Sequence, residues 1–309
     1  MIKFEVTKEA AGQRLDVFLK GQISEVSREK VKRAILGGKV YVNGPKNIDP
    51  SFIVAAGNLI EIEIDTKPFK LKAENISLKK IYEDDDFLVI DKPAGLVVHP
   101  GANVTTGTLA NALLGEYPQI QGLGHEFRPG IIHRLDKGTS GLMLIAKNEK
   151  SFEYGKALFE KRLIAKEYET LVFGRLEPKF GVIEKPLRLV PERRRVEVSA
   201  EGKAAKTEYR VLGYFEDSDG IDFYSLVRVI LHTGRTHQIR VHFASLGHPV
   251  AGDSLYSADE KTKKAGPARQ FLHAKRLAFR LPNGTMLDLE SELPADLQDF
   301  LNSLQKIES

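Results

Sequence analysis

Between residues 12 and 65 the apolar positions repeat first with a helical and then with a strand-like period. Val31, Ala34 and Ile35 fall on one stripe of a helix that Ser27 is placed to cap and that Gly37 and Gly38 end. Lys39-Val-Tyr-Val-Asn-Gly-Pro45 predicts a strand entering an Asn-Gly turn, and Leu59-Ile-Glu-Ile-Glu-Ile64 alternates as a strand does. From Ile81 onward the pattern becomes short strands with glycine-rich turns. Phe87–Ile90, Gly141–Ala146, Tyr168–Phe173, Thr207–Leu212 and Tyr224–Leu231 are the clearest strands, and Ser151–Lys161, apolar at Phe152, Ala157 and Leu158, is the clearest helix. Strands not regularly spaced by helices predict an α+β sheet rather than a doubly wound one. Residues 66–78, with Pro68 and several lysines, read as a linker, which sets domains at 1–65 and 79–309.

With 309 residues, 42% hydrophobic and 28% charged, the chain has the composition of a globular protein of two domains. It has no cysteine, which removes disulfides, thiolate nucleophiles and cysteine-containing zinc sites, and suits a reducing cytoplasm. The charged N-terminus lacks an apolar signal core, so export is not expected. The longest stretch free of charge, Pro93–Gly115, is broken by prolines, glycines, His99, Thr108 and Asn111, and reads as a loop-rich soluble segment rather than a membrane span. The net charge is only +4, but from Lys20 to Asn47 seven basic residues face two acidic ones, a local net of +5. Arg28, Lys30, Lys32 and Arg33 lie off the apolar stripe of their helix, and Lys39 follows it, as a surface for a polyanion requires.

The densest chemistry is in Pro129-Gly-Ile-Ile-His-Arg-Leu-Asp-Lys-Gly-Thr-Ser-Gly-Leu-Met143, where glycines 138 and 141 allow a tight turn that presents Asp136 at a sheet edge. Gly138-Thr-Ser-Gly141 lacks the spacing of a serine-hydrolase elbow. A second cluster runs from His232 to His242. Its three histidines are five apart, a spacing that alternates faces on a strand and misses the shared face of a helix, so no metal is expected. Arg235 and Arg240 share that spacing, which would aim one at phosphate and one inward, and an inward arginine needs a carboxylate. Lys92, Arg128, Lys137 and Arg193-Arg-Arg195 are further candidates for phosphate, and His99, His133, His237 and His273 for hydrogen bonds within the core.

Two resemblances follow from these residues. Arg14-Leu-Asp-Val-Phe-Leu19, Ser27-Arg28 and Ile35-Leu-Gly-Gly-Lys-Val-Tyr-Val-Asn-Gly44 resemble the small α/β S4 RNA-binding module. Asp91-Lys-Pro-Ala-Gly-Leu-Val-Val-His-Pro-Gly101, Ile132-His-Arg-Leu-Asp-Lys-Gly-Thr-Ser-Gly-Leu142, Lys166-Glu-Tyr168, Thr233-Gly-Arg-Thr-His-Gln-Ile-Arg-Val-His242 with Gly247-His-Pro-Val-Ala-Gly-Asp253, and Phe271-Leu-His-Ala274 resemble the RluA/RluD family of pseudouridine synthases. The resemblance implies a central, largely antiparallel sheet and an enzyme that isomerises specific uridines in RNA by flipping the base, with no cofactor and no metal. It implies Asp136 as nucleophile, Arg240 as its partner, Tyr168 against the target base, and Arg134 in the space the extruded nucleotide leaves. Arg235, with the basic residues of the S4-like module, is expected on RNA.

Pro129-Gly-Ile-Ile-His and Val97-Val-His-Pro-Gly101 look closer to the D-type subgroup, which implies large-subunit (23S) ribosomal RNA, or its assembling particle, as the partner of a cytoplasmic monomer with no membrane contact. The competing class is a noncatalytic RNA-binding or ribosome-assembly factor that keeps the fold. A third reading is a hydrolase pairing Asp136 with a second carboxylate such as Asp85 or Asp91, which predicts release of free base or sugar.

Overall fold

The chain divides into two units, Met1–Lys70 and Leu71–Ser309, in a computed structural model that describes residues 1–26, 28–47, 49–64, 66, 70–101, 104–125, 127–190, 195–257, 259–260, 262 and 266–307. The first unit contains strand β1 (Ile2–Glu5), helices α1 (Leu15–Gln22) and α2 (Arg28–Leu36), and strands β2 (Val40–Val42) and β3 (Leu59–Ile62). The strands form an antiparallel sheet in the order β1-β3-β2. Val31, Ala34 and Ile35 are buried as their period requires, against Leu15, Phe18, Leu19, Ile60 and Ile62. Asn43 and Gly44 both take positive φ, at 52° and 102°, as an Asn-Gly hairpin turn demands. Ser27, the expected cap of α2, lies outside the described residues.

Asp16 holds the basic face of this unit together. It is completely buried, and its carboxylate accepts from Arg14 Nε at 3.0 Å and from Arg28 NH2 at 2.8 Å, with Lys32 Nζ at 3.9 Å. Burial alone would raise its pKa, but the hydrogen bonds and charges of Arg14 and Arg28 more than offset it, and the carboxyl sits below its ordinary value. Arg28 is thus anchored through one part of its guanidinium while its side chain stays half exposed.

The second unit contains β4 (Lys79–Glu83), β5 (Phe87–Lys92), α3 (Leu109–Glu116), β6 (Ser140–Ala146), α4 (Glu149–Glu160), β7 (Ala165–Phe173), β8 (Phe180–Glu184), β9 (Leu187–Val190), β10 (Arg195–Val198), β11 (Lys206–Glu216), β12 (Phe223–Leu231), α5 (Gln238–Ala244), β13 (Leu272–Arg280), β14 (Met286–Glu290), α6 (Ala295–Asn302) and β15 (Gln305–Ile307). The main sheet runs β15-β11-β12-β7-β13-β6-β5-β4, with β14 on β13 and β8 on β11; β9 and β10 form a separate hairpin. Its pairings are antiparallel except β6 with β13. The architecture is therefore α+β, as the strand spacing predicted.

At β5 and β6 both faces of the sheet are covered. Leu88, Ile90, Met143 and Ile145 point into the core that includes α3, while Phe87, Val89, Leu142 and Leu144 pack with Leu158 of α4 on the other. That is why β5 and β6 read as continuous apolar runs rather than alternations. Each such side chain contributes about 1.5–3 kcal/mol through burial.

Pro93–Gly115 differs from its expectation, because α3 begins inside it. Thr108 and Asn111, whose polarity spoke for a loop, form a capping box in which each side chain bonds the other's backbone N–H. Asn111 also anchors part of the expected linker 66–78: its Nδ2 donates to Lys72 O at 2.8 Å and its carbonyl accepts from Glu74 N at 3.0 Å. With Leu71 and Ile76 packed on the same core and Leu78 buried, the chain belongs to the second unit from Leu71 on. Among the described residues, no helix is long and apolar enough to cross a membrane.

Candidate active site

Asp136 lies four residues before β6, an interior strand, so it stands at the end of the sheet rather than along its edge as expected. β6 and β13 start side by side here, and the fit leaves no room for a side chain at Gly141. Its φ is +113°, and a Cβ would meet the Ala274 backbone at 2.4 Å. The turn carrying Asp136 is fastened on both flanks. Lys137 O accepts from Gly95 N at 2.8 Å and lies 3.4 Å from Lys92 Nζ; Gly138 O accepts from Arg269 NH1 at 3.0 Å. Arg269 is in turn held by both oxygens of Asp296 in α6, at 2.6 and 3.0 Å.

Lys92 departs from its expected role at phosphate. It is fully buried and donates to the carbonyls of Pro93 and Leu96 at 2.8 and 3.1 Å. Burial, with Arg269 nearby, lowers its pKa to about 8. It braces the loop from inside and presents no charge to a ligand.

Arg240 on α5 joins two carboxylates. Nε and NH2 donate to Asp253 at 2.6 and 2.9 Å, and NH1 donates to Asp136 Oδ2 at 3.1 Å. Its side chain is 8% exposed, that of Asp253 0% and that of Asp136 20%, so Asp136 is the carboxylate within reach of a ligand. Burial disfavours the guanidinium charge, but the bonds and charge of Asp253, then of Asp136, raise its pKa above the ordinary value. Sequence reasoning missed Asp253. The signal was present, since an inward arginine demands a carboxylate and Asp253 ends the Gly247–Asp253 block.

These residues open on a cavity of about 100 Å³ whose lining includes Arg134, Asp136, Tyr168, Arg235, His237 and Arg240, with Leu135, Leu231, Ile239 and Leu272 as apolar wall. Residues up to 138 positions apart, Arg134 and Leu272, are thereby brought together. Tyr168, opposite Val229 on β12 and Ala274 on β13, is 8% exposed. Burial, and then the charge of Asp136, push its phenol well above the ordinary range, so it meets a ligand protonated. Arg134 is exposed at the mouth and donates to Thr236 Oγ1 at 3.1 Å; Arg235 is exposed and donates to Ala204 O at 3.1 Å. Arg128, Arg162 and Lys166 line an adjoining groove of about 470 Å³ with Arg134 and Arg235. Lys137 is exposed beside Asp136, Arg193 and Arg194 lie outside the described residues, and Arg195 stacks over Tyr256 at 5.2 Å. Lys30, Lys32, Arg33 and Lys39 belong to the first unit with Arg28.

Neither Asp85 nor Asp91 lines the cavity, and Asp91 is paired to Lys79 at 2.9 Å. The other carboxylate at Asp136 is Asp253, fully buried and bonded to Arg240, which leaves no second free carboxylate among the cavity's described residues for a glycosidase pair. Ser140 does meet His273 Nδ1 at 3.0 Å, but both are buried and Ser140 cannot reach a substrate. His232, His237 and His242 turn to different partners: Glu208, Tyr256, and Thr207 with Lys185 O.

Three of the four histidines expected in the core make hydrogen bonds, whereas His99 keeps Nδ1 buried with no partner among the described residues. His133 accepts from Leu144 N at 2.9 Å and stacks on Phe159; His273 lies 3.2 Å from Ser291 O. Burial lowers their pKa values to about 3 and about 4. As pH falls, the unfolded chain takes up these protons near its ordinary value of about 6.5, before the folded chain does. Stability present at neutral pH is therefore lost from about 6.5 downward, at roughly 1.4 kcal/mol per pH unit for each histidine, until the folded values are reached. Urea midpoints between pH 7 and 5 should show this slope, and His133→Gln should flatten it by one proton; an unchanged slope contradicts the assignment.

Comparison with known proteins bears on both units. The family model described as RNA pseudouridylate synthase matches residues 86–245, and the S4 domain model matches residues 13–60. An uncharacterized RNA pseudouridine synthase of Aquifex aeolicus is 43% identical over 258 residues, covering 83% of this chain and 80% of that protein. The ribosomal large subunit pseudouridine synthase D of Yersinia pestis is 37% identical over 312 residues, covering 97% and 93%. Among solved structures, human RNA pseudouridylate synthase domain containing 1 aligns with a TM-score of 0.60 at 26% identity, covering 77% of this chain and 93% of that one.

Proposed function

The chain belongs to the RNA pseudouridylate synthase family, and from that premise we propose that it modifies large-subunit ribosomal RNA with Asp136 as nucleophile. It is an RNA-binding enzyme that isomerises uridine to pseudouridine. The substrate assignment rests on similarity along nearly the whole chain to the large-subunit enzyme of Yersinia pestis. A ribosomal substrate puts the enzyme in the cytoplasm.

The observation that carries the catalytic assignment is the asymmetry of Asp136. Arg240 occupies one oxygen of a carboxylate that is itself 20% exposed in a small, largely apolar cavity. The reaction exchanges the base's nitrogen link to the sugar for a carbon link and is redox-neutral, so a nucleophile and a proton acceptor suffice. The Asp136 carboxylate attacks the uridine, at the sugar or the base, while Arg240, fixed by Asp253, orients the carboxylate. The N1–C1′ bond breaks, the base turns, C5 bonds to C1′ and the aspartate is released; the proton lost from C5 is balanced by one gained at N1. The apolar wall takes the flipped base, and Tyr168 stacks on it as a neutral phenol whose hydroxyl can relay the proton released at the new carbon attachment.

The test is incubation with uridine-labelled ribosomal RNA followed by digestion to nucleosides. Pseudouridine in large-subunit RNA, without free uracil, is expected; no product would favour a noncatalytic binder, and free base a hydrolase.

Arg134 stands at the cavity mouth, where its side chain can fill the gap left by an extruded nucleotide. Arg134→Ala should therefore slow modification of structured RNA by an amount that reflects roughly a few kcal/mol of unstacking, and slow that of a short unstructured strand much less. Single-turnover rates on both substrates check this. Equal losses would put Arg134 at the chemistry rather than at the opening of the helix.

A further inference from the structure

His237 leads into α5 with a left-handed backbone, φ 54° and ψ 19°. A residue with a side chain enters that region rarely, and one held there beside a reactive group carries strain that the surrounding contacts maintain. Here the contacts fix the ring. Nδ1 lies 2.7 Å from Tyr256 Oη, and the same oxygen accepts the backbone N–H of Val196 at 2.9 Å. With Val196 already donating to the phenol oxygen, the arrangement that uses every group has the phenol give its own proton to Nδ1, which assigns the hydrogen of the neutral ring to Nε2. The opposite tautomer would aim an Nε2 lone pair at a carboxylate.

Nε2 stands 3.7 Å from Asp136 Oδ2, the oxygen that Arg240 NH1 already holds at 3.1 Å. Among the described residues, no hydrogen bond reaches Oδ1. The charged groups facing the ring are Asp136 and Asp253, which favour a proton, and Arg240 and Arg134, which oppose it. Burial is the largest influence and keeps the imidazole neutral, a donor without a charge.

We propose that His237 is a positioning residue: locked by Tyr256, its Nε2–H joins Arg240 on Oδ2 of Asp136 and so turns Oδ1 toward the uridine. This rests on the reading of Asp136 as nucleophile. The 3.7 Å separation is beyond hydrogen-bond length here, and for this role it must shorten once substrate fills the cavity, as catalytic hydrogen bonds often do between a free enzyme and its complex.

Two amides separate this role from a structural one. His237→Asn suits the left-handed backbone and places an amide near Nδ1, where it can still meet Tyr256, but it falls short of Asp136. His237→Gln is one methylene longer and reaches the position of Nε2. Single-turnover pseudouridine formation at saturating enzyme should fall about 100-fold in His237→Asn and less than about tenfold in His237→Gln, with RNA affinity and melting temperature unchanged. Tyr256→Phe keeps the imidazole but releases its lock and should lose roughly tenfold in rate alone. The proposal is overturned if His237→Asn or Tyr256→Phe turns over at the wild-type rate, if the two amides lose activity equally, or if the losses follow melting temperature. An inactive wild-type protein in the same series would instead sink the assignment of the reaction.

Discussion

Asp253→Ala is expected to destabilise the second unit by about 3–5 kcal/mol and to slow pseudouridine formation about 100-fold, although Asp253 is buried beneath the cavity wall. Its carboxylate is fully buried and bonds Arg240 through Nε and NH2 at 2.6 and 2.9 Å. Its Oδ1 also accepts the N–H groups of Leu255 and Tyr256 at 2.9 and 3.2 Å. Alanine would leave a buried guanidinium bound to Asp136 alone among the described carboxylates, together with two backbone donors that lose their acceptor. Arg240 would then shift toward its remaining partner and carry Asp136 off its line of approach. Asp253→Asn, which keeps an acceptor in the same shape, should fall between alanine and wild type in both respects. Urea unfolding followed in the second unit, with single-turnover rates on the same preparations, decides it. A loss under about 1 kcal/mol from alanine would mean that water, not Asp253, satisfies Arg240.

How much of this was legible in the sequence depended on the distance over which each feature is determined. β5, β6, β7 and β12 were plain because buried strands are apolar runs bounded by turns. β13 was not, since its charges belong to cross-strand pairs such as Arg276 with Asp288, and such pairs interrupt the apolar period. α3 was hidden by its own cap, because Thr108 and Asn111 signal a loop until their partners are known. β8 carries Phe180 and Val182 exposed, 74% and 52%, and its period gives no burial signal.

At the site, the residues in dense local blocks could be found, and the contacts between blocks could not. Asp136, Tyr168 and Arg240 stood out by chemistry and resemblance, and they do line one cavity. Asp253 ends a block that supplies a carboxylate for an inward arginine, but its pairing with Arg240, like the turning of Lys92 from a surface cation into a buried brace, depends on how the chain folds back on itself. The Tyr256–His237 contact is of the same kind. Its two ends are 19 residues apart, with α5 between them.

Asp136→Asn is expected to abolish pseudouridine formation, a loss of at least roughly 1,000-fold, while the protein stays folded and binds RNA as before. The amide is close to the carboxylate in size, so the bond from Thr139 N to the carbonyl of residue 136, now 3.1 Å, should persist with the turn around it. It can still accept from Arg240 but has no charge with which to attack. Because Asp253 keeps its two bonds to the guanidinium, stability should fall by only about 1–2 kcal/mol. Affinity should hold because phosphate contacts are spread over many basic side chains. The direct measurement is pseudouridine per RNA after long incubation with a stoichiometric amount of folded Asp136→Asn protein, its mass checked for deamidation back to aspartate. The assignment of Asp136 as nucleophile predicts none above background. Full conversion by a verified amide would contradict it.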